Sequence, residues 1–422
     1  MSYAEAFSNP KLGQKLLSAI AREADRPRDY FLMEFCGGHT HALCKNGLNQ
    51  LLPPNVHMVH GPGCPVCVLP TGRINQALTL LETQKVVFCT FGDMSRVPGS
   101  RGKSFLSARA AGADVRMVLG PLQALQLAES NPECEVVFFA VGFETTAPAT
   151  ALALREAKRK RLTNFSVLCN HVRTLPAMFA VLEGMQAMQK GEDKPNMDST
   201  ATHEGETRLN ADNTATHGGK TRPNADETAT HGGKTKPRVD GMVAPGHVAV
   251  VTGALLFEEV CKTFNLPVCV AGFEVLDMLE AIYRLLRQLN REEVRVENAY
   301  ARAATQAGNL VAKQLLEEVF SISPCFEWRG LGSLPKSAFC ISKSHGAWDA
   351  EAKWTLPYVP VADNPRCCCA KVLQGLQKPT ECTLFAKACT PDSPMGACMV
   401  SPEGACSAYF ANVGGKTELS YS

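Results

Sequence analysis

Three groups of cysteines in this 422-residue chain stand where thiols can do chemistry. The first is MEFCGGHTH, Met33–His41, where Cys36 is followed by two glycines and then by His39 and His41. A thiol and an imidazole three residues apart can meet one metal ion or form a thiolate–imidazolium pair. Gly37 and Gly38 let the backbone turn tightly and leave the thiol accessible. The plain alternative is a glycine turn whose cysteine happens to be buried. CGGHTH is poor core material, which favours metal or nucleophile. The second group is GPGCPVCVLP, where Cys64 and Cys67 hold two sulfurs within reach of a disulfide or a shared metal. Pro62, Pro65 and Pro70 stiffen that loop. A structural zinc site would want a second such pair nearby, and none follows, so a redox-active dithiol is the better reading.

The third group runs from Cys367 to Cys406. Cys367-x14-Cys382-x6-Cys389-x16-Cys406 offers four thiolates from one Pro- and Gly-rich segment. Zinc ribbons present close C-x2-C knuckles; these wide, irregular spacings suit a [4Fe–4S] cube better. Cys369 can stand in for Cys367, Cys398 is a spare thiol or a core residue, and Cys368 is unexplained. Cys89, Cys169, Cys261 and Cys269 lie in apolar runs and read as small buried hydrophobes. Two echoing segments, AVGFETTAP and VAGFEVLD, put Glu144 and Glu274 at probable strand ends, the edge that hosts ligands in open α/β sheets. Capping is the expected role for Glu274, whereas Glu144 is kept as a catalytic candidate as well as a cap. His171 in CNHV and His247 in PGHV are at most supporting residues.

The elements that must position these groups read as strand–helix alternation. VVFCTF, VRMVLG, VVFFAVGF, FSVLCN and LPVCVAGF look like buried parallel strands. Between several of them lie helical patterns such as PLQALQLAES, TLPAMFAVLEGMQAMQK and VLDMLEAIYRLLRQLN. Repeated βα units predict an α/β fold with two Rossmann-like lobes of parallel sheet, followed by a small C-terminal iron–sulfur domain. The division expected is 1–130, 131–298 and 299–422. Residues 191–240 interrupt the pattern with a period of 14 (ATHEGETRLNADNT, ATHGGKTRPNADET, ATHGGKTKPRVD) and almost no large apolar side chains. A disordered insert is expected there.

Lys plus Arg, 43, nearly balances Asp plus Glu, 41, so charge gives no case for a nucleic-acid or anionic-membrane surface. No apolar run reaches membrane-spanning length, and the N-terminus lacks a signal-peptide core. Eighteen cysteines without a secretory signal point to reduced thiols in the cytoplasm. No phosphate-binding loop, dinucleotide fingerprint or serine-hydrolase elbow occurs.

Taken together, MEFCGGHTH, HGPGCPVCVLPTGRI, TFGDMSRVPGS, VVFFAVGFETTAP, FSVLCNHV, APGHV, FEWRGLG and CTPDSPMGACMVSPEGACSAYF strongly resemble the hydrogenase maturation protein HypD family. The likeness covers nearly the whole chain outside 191–240. It implies assembly of the Fe(CN)2CO unit of [NiFe] hydrogenases, with the iron shared with a small partner, HypC. Cyanide would come from the HypE–HypF pair, and the hydrogenase large subunit would be served indirectly. By the same resemblance Cys36 is the iron-binding thiolate, His39 its essential neighbour, and Cys64 and Cys67 the redox dithiol near the iron. Cys367 or Cys369, with Cys382, Cys389 and Cys406, would hold the [4Fe–4S] cluster. Two features depart from the family pattern: the 14-residue repeat, and CCC at 367–369 where the pattern has Cys-x-Cys. A rival from another class is a stand-alone iron–sulfur protein-disulfide reductase, which has no need of a third thiol with a histidine beside it.

Overall fold

The computed structural model describes residues 9–190 and 238–414. Two parallel sheets are built in turn as the chain leaves the first, completes the second and returns. The first sheet contains β1 (Tyr30–Glu34), β2 (Val56–His60), β7 (Gly241–Pro245), β8 (Val268–Ala271) and β9 (Val296–Asn298), ordered β2-β1-β7-β8-β9. The second contains β3 (Val87–Thr90), β4 (Val115–Met117), β5 (Val136–Gly142) and β6 (Phe165–His171), ordered β4-β3-β5-β6. All these pairings are parallel.

The α/β reading with two parallel sheets holds, but the strands divide differently from the contiguous boundaries 1–130 and 131–298. Leu32 pairs with Gly241 and Glu34 with Val243, so β1 joins a strand some two hundred residues later. The second lobe is thus inserted between β2 and β7 of the first. The segment expected to open the cluster domain also packs elsewhere: Leu315, Leu316, Val319, Phe320 and Ile341 share a core with Phe138, Ala151 and Phe165 of the second sheet and its helix. The reason is apolar: helix Leu310–Val319 buries its inner stripe against helix Ala147–Lys160. The repeat at 191–240, expected to be disordered, lies almost wholly outside the described residues.

Helix ends follow local chemistry. Pro121 opens Pro121–Ser130 at the position where a missing N–H costs nothing. Glu274 and Asp277 cap Val275–Asn290 reciprocally. β5 and β6 are buried along their whole length, as strands covered on both faces must be. Between the sheets a continuous core joins Met33, Phe35, Met242 and Val248 of the first lobe to Phe88, Phe105, Phe139 and Val141 of the second. The aromatic trio Phe88, Phe105 and Phe139 packs with centroids 4.9 to 5.8 Å apart, which adds about 1 kcal/mol per pair to simple burial. Among the described residues no helix is long and apolar enough to cross a membrane.

Candidate metal and redox site

In the first sheet the connections run outward in opposite directions from β1 and β7, so these adjacent strands flank the topological switch point. In open α/β sheets the carboxyl ends of the strands at such a point are where ligands bind. Cys36 follows β1 and His247 follows β7. Cys36 is the N-cap of helix Gly37–Lys45: its carbonyl accepts from His39 N at 3.0 Å and Thr40 N at 3.1 Å. Its own N–H donates to Glu34 Oε2 at 2.9 Å. Cys36 Sγ lies 3.6 Å from His247 Nδ1. The imidazole that meets the thiol is therefore His247, and not the sequence neighbour His39.

His39 is fully buried and its Nε2 bonds Ala271 O at 3.2 Å, leaving Nδ1 without a partner among the described residues. Donation by Nε2–H leaves Nδ1 as a free acceptor. The rings of His39 and His247 flank Phe273, with centroids 5.2 and 5.1 Å from it. Burial lowers the pKa of both imidazoles, that of His247 to about 4. Burial, then Glu403 and Glu34, pushes the Cys36 thiol well above its ordinary value. The thiol was expected to be accessible; it is buried, because Gly37 and Gly38 serve close packing rather than a loose turn. A Cβ on Gly37 would stand 2.5 Å from Glu403 O, and one on Gly38 would stand 2.9 Å from the Phe273 ring. A bound cation would reverse the electrostatic preference for the neutral thiol.

The second thiol group abuts the first. Gly37 N donates to Gly63 O at 3.2 Å, and a Cβ on Gly63 would lie 2.3 Å from Cys36 N. Only glycine permits that approach, and the next residue is Cys64. Cys64 caps the short helix Pro65–Val68, accepting from Cys67 N at 3.2 Å, and Cys64 and Cys67 are joined as a disulfide with Cα atoms 5.2 Å apart. The helix rests on β5 and on the turn Ala397–Met399, so the disulfide shares one core with Val141, Phe143 and Cys398. Arg329, from FEWRGLG, pins its far end: Arg329 N donates to Val68 O at 2.7 Å and Nε to Leu69 O at 3.0 Å, while the guanidinium also pairs with Asp363.

The third group lines a cavity. Its walls are Cys367, Cys368, Cys369, Cys382, Cys389, Cys398 and Cys406, with Val372, Leu384, Phe385, Gly396 and Met399. Among the described residues no three His, Cys, Asp or Glu side chains converge as ligands of a single ion. A four-iron cube takes one thiolate per iron, so its ligands ring a volume instead of meeting at a point. A sulfur-lined, otherwise apolar cavity with backbone donors suits that group. Met395 N donates to Cys389 Sγ at 3.3 Å, an N–H aimed at a sulfur of the cavity wall. A Cβ on Gly396 would press on Cys367 Sγ at 2.6 Å. Cys369 Sγ instead sits 2.7 Å from Cys398 Sγ. Cys367 also hydrogen-bonds Cys369, so the two sulfurs share one corner of the cavity.

Glu144 is not gathered into this site. Its Oε1 accepts from Thr174 N at 2.9 Å and its Oε2 from Thr174 Oγ1 at 2.7 Å, so both oxygens hold the start of helix Thr174–Lys190. It caps the helix after the next strand, which the sequence pattern around GFETTAP did not suggest. His171 is likewise spent inside the fold, its Nε2 on Thr150 Oγ1 at 2.8 Å. Sequence reasoning underrated His247 and missed Glu34, His60, Phe273, Arg329, Glu403 and Tyr409. The signals were present for some: polar residues directly flanking the cysteines in MEFC, HGPGC and PEGAC.

A family model described as the hydrogenase formation hypA family, HypD, matches residues 11–196 and 220–413, and its break falls within the 14-residue repeat. The hydrogenase maturation factor HypD of Cupriavidus necator is 44% identical over 411 residues, covering 97% of this chain and 97% of the relative. HypD2 of Bradyrhizobium diazoefficiens is 43% identical over 410 residues, covering 97% of this chain and 96% of its own length. HypD of Escherichia coli is 38% identical over 415 residues, with 97% and 98% covered.

Proposed function

The chain belongs to the HypD family of hydrogenase formation proteins, and from that premise we propose that it is a maturation factor on which the iron of a [NiFe] hydrogenase receives its diatomic ligands. The observation that supports the reading is the close approach of Gly63 to the Cys36 backbone, which brings together the segments that carry Cys36 and the Cys64/Cys67 pair. Iron carrying cyanide and carbonyl is low-spin and favours thiolate donors. In this proposal Cys36 supplies one thiolate, a cysteine of the small partner HypC another, and His247 and the free Nδ1 of His39 line the pocket beside them.

Cyanide delivered as a thiocyanate on a carrier protein of the HypE–HypF pair must be released with two electrons. The Cys64/Cys67 dithiol can provide them. One carrier thiocyanate and two cysteine thiols give a carrier thiol, a cyanide ion bound by iron, one proton and the Cys64–Cys67 disulfide. The carbon–sulfur bond breaks, the sulfur–sulfur bond forms, and the dithiol is the species oxidised. A [4Fe–4S] cluster held by Cys367 or Cys369, with Cys382, Cys389 and Cys406, would supply single electrons in the neighbourhood of the pair. Phe273 and the apolar walls around Cys64 and Cys67 keep water from the transfer.

The test is infrared spectroscopy of the full chain co-purified with HypC. Cys36→Ala is expected to abolish the iron-bound cyanide and carbonyl bands while the cluster absorbance persists. Unchanged bands would refute Cys36 as the anchor.

A further inference from the structure

The anchor thiol rests on a buried polar chain that the reading above does not use. Glu34 ends β1 fully buried, and three donors address its carboxylate. Oε2 takes the Cys36 backbone N–H at 2.9 Å; Oε1 takes His60 Nδ1–H at 2.7 Å and the Thr40 hydroxyl. His60 ends β2 directly opposite Glu34 in the sheet register. With Nδ1–H given to the carboxylate, its Nε2 is an acceptor, and the Tyr409 hydroxyl donates to it at 2.9 Å, ring edge to ring face. Tyr409 closes the helix Ala405–Tyr409 that carries Cys406. Every member of the chain is buried. Its members sit among apolar side chains and satisfy one another, and a satisfied network of this kind fixes one geometry.

Resting on the assignment of Cys36 as the iron anchor, we infer that Glu34 is its positioning residue, held by His60 and Tyr409, so that the anchor turn is tied to the helix bearing the cluster ligand Cys406. Glu34 does this in two ways. It fixes the N-cap conformation of Cys36 through the backbone N–H, and its negative charge increases electron donation from the Cys36 sulfur to a bound metal. His60 moderates that charge by hydrogen bonding, and Tyr409 tunes His60. Without Tyr409's hydrogen the imidazole Nε2 loses its donor, its Nδ1–H is less polarised and donates less, and the charge on Glu34 is less neutralised.

The experiment compares wild type, E34Q, H60N, Y409F and C36A, each the full chain co-purified with HypC, by the infrared bands of the bound iron. E34Q removes the charge, so its carbonyl band is expected at higher wavenumber with the iron retained. Y409F is expected to move it the opposite way and less. H60N removes the imidazole through which Tyr409 acts and is expected to move the band in the same direction as Y409F. Unmoved bands at full intensity in both E34Q and Y409F overturn the inference. Should E34Q fail to fold by circular dichroism, Y409F decides alone, moved band against unmoved. Loss of the bands in C36A with unmoved bands in the others defeats only this inference, whereas bands that survive in C36A defeat the anchor assignment beneath it.

Discussion

The two sheets end in similar sequence and differ in what they leave available. At the end of the second sheet, Glu144 gives both oxygens to Thr174 and His171 bonds Thr150. At the end of the first, Cys36 Sγ faces His247 and His39 keeps a buried Nδ1 with no partner among the described residues. Gly-Phe-Glu occurs at both ends, yet each glutamate is a helix cap, one for its own helix and one for a helix beyond the next strand. A crevice becomes a site where polar groups remain unspent. Position at a strand end supplies only the opportunity.

The sharpest way to break this contrast is at Gly63. Gly63→Ala drives a Cβ into the Cys36 backbone, and backbone cannot step aside as a flexible side chain can. Destabilisation of about 3 kcal/mol is expected from such overpacking, together with loss of iron from the complex, read by chemical denaturation and iron analysis. Full iron loading in this variant would mean that the two loops need not touch.

Glu144→Gln sharpens the comparison from the other side. One of the two bonds to Thr174 loses its acceptor, so a cost of roughly 1–2 kcal/mol is expected in urea unfolding, with the infrared bands of bound iron unchanged. Altered bands would return Glu144 to the chemistry.

The last test concerns His171, whose pKa burial lowers from 6.5 to about 4. The unfolded chain binds this proton first, so stability falls as pH drops from about 6.5 towards 4, by up to roughly 3 kcal/mol. Unfolding free energies of His171→Gln should show a flatter acid limb; an identical limb would assign the acid sensitivity to other groups.

Much of the fold was legible because its signals are local. PLQALQLAES and VLDMLEAIYRLLRQLN are helices over their whole length, and VVFFAVGF and FSVLCN are buried strands. Which strands share a sheet was not legible. The pairing of Leu32 with Gly241 leaves no trace near either residue, since parallel pairing depends on how the intervening chain crosses over. The same limit hid the site. CGGHTH suggested Cys36 with His39, because sequence shows neighbours three residues apart and not two hundred. The close approaches at Gly37 and Gly38 also made a buried thiol look like an exposed one. The cysteine spacing from 367 to 406 did mark a shared cavity, because loops rich in Pro and Gly bring near cysteines together. It could not separate Cys367 from Cys369, whose sulfurs both line that cavity.

Counting sulfur bonds against cyanide tests the central claim, that iron anchor and dithiol act as one site. In a single turnover, with the thiocyanate-bearing carrier supplied to the reduced chain and HypC, mass spectrometry should find one new Cys64–Cys67 disulfide for each cyanide that reaches iron. Cyanide appearing on iron while both thiols stay free would contradict the account.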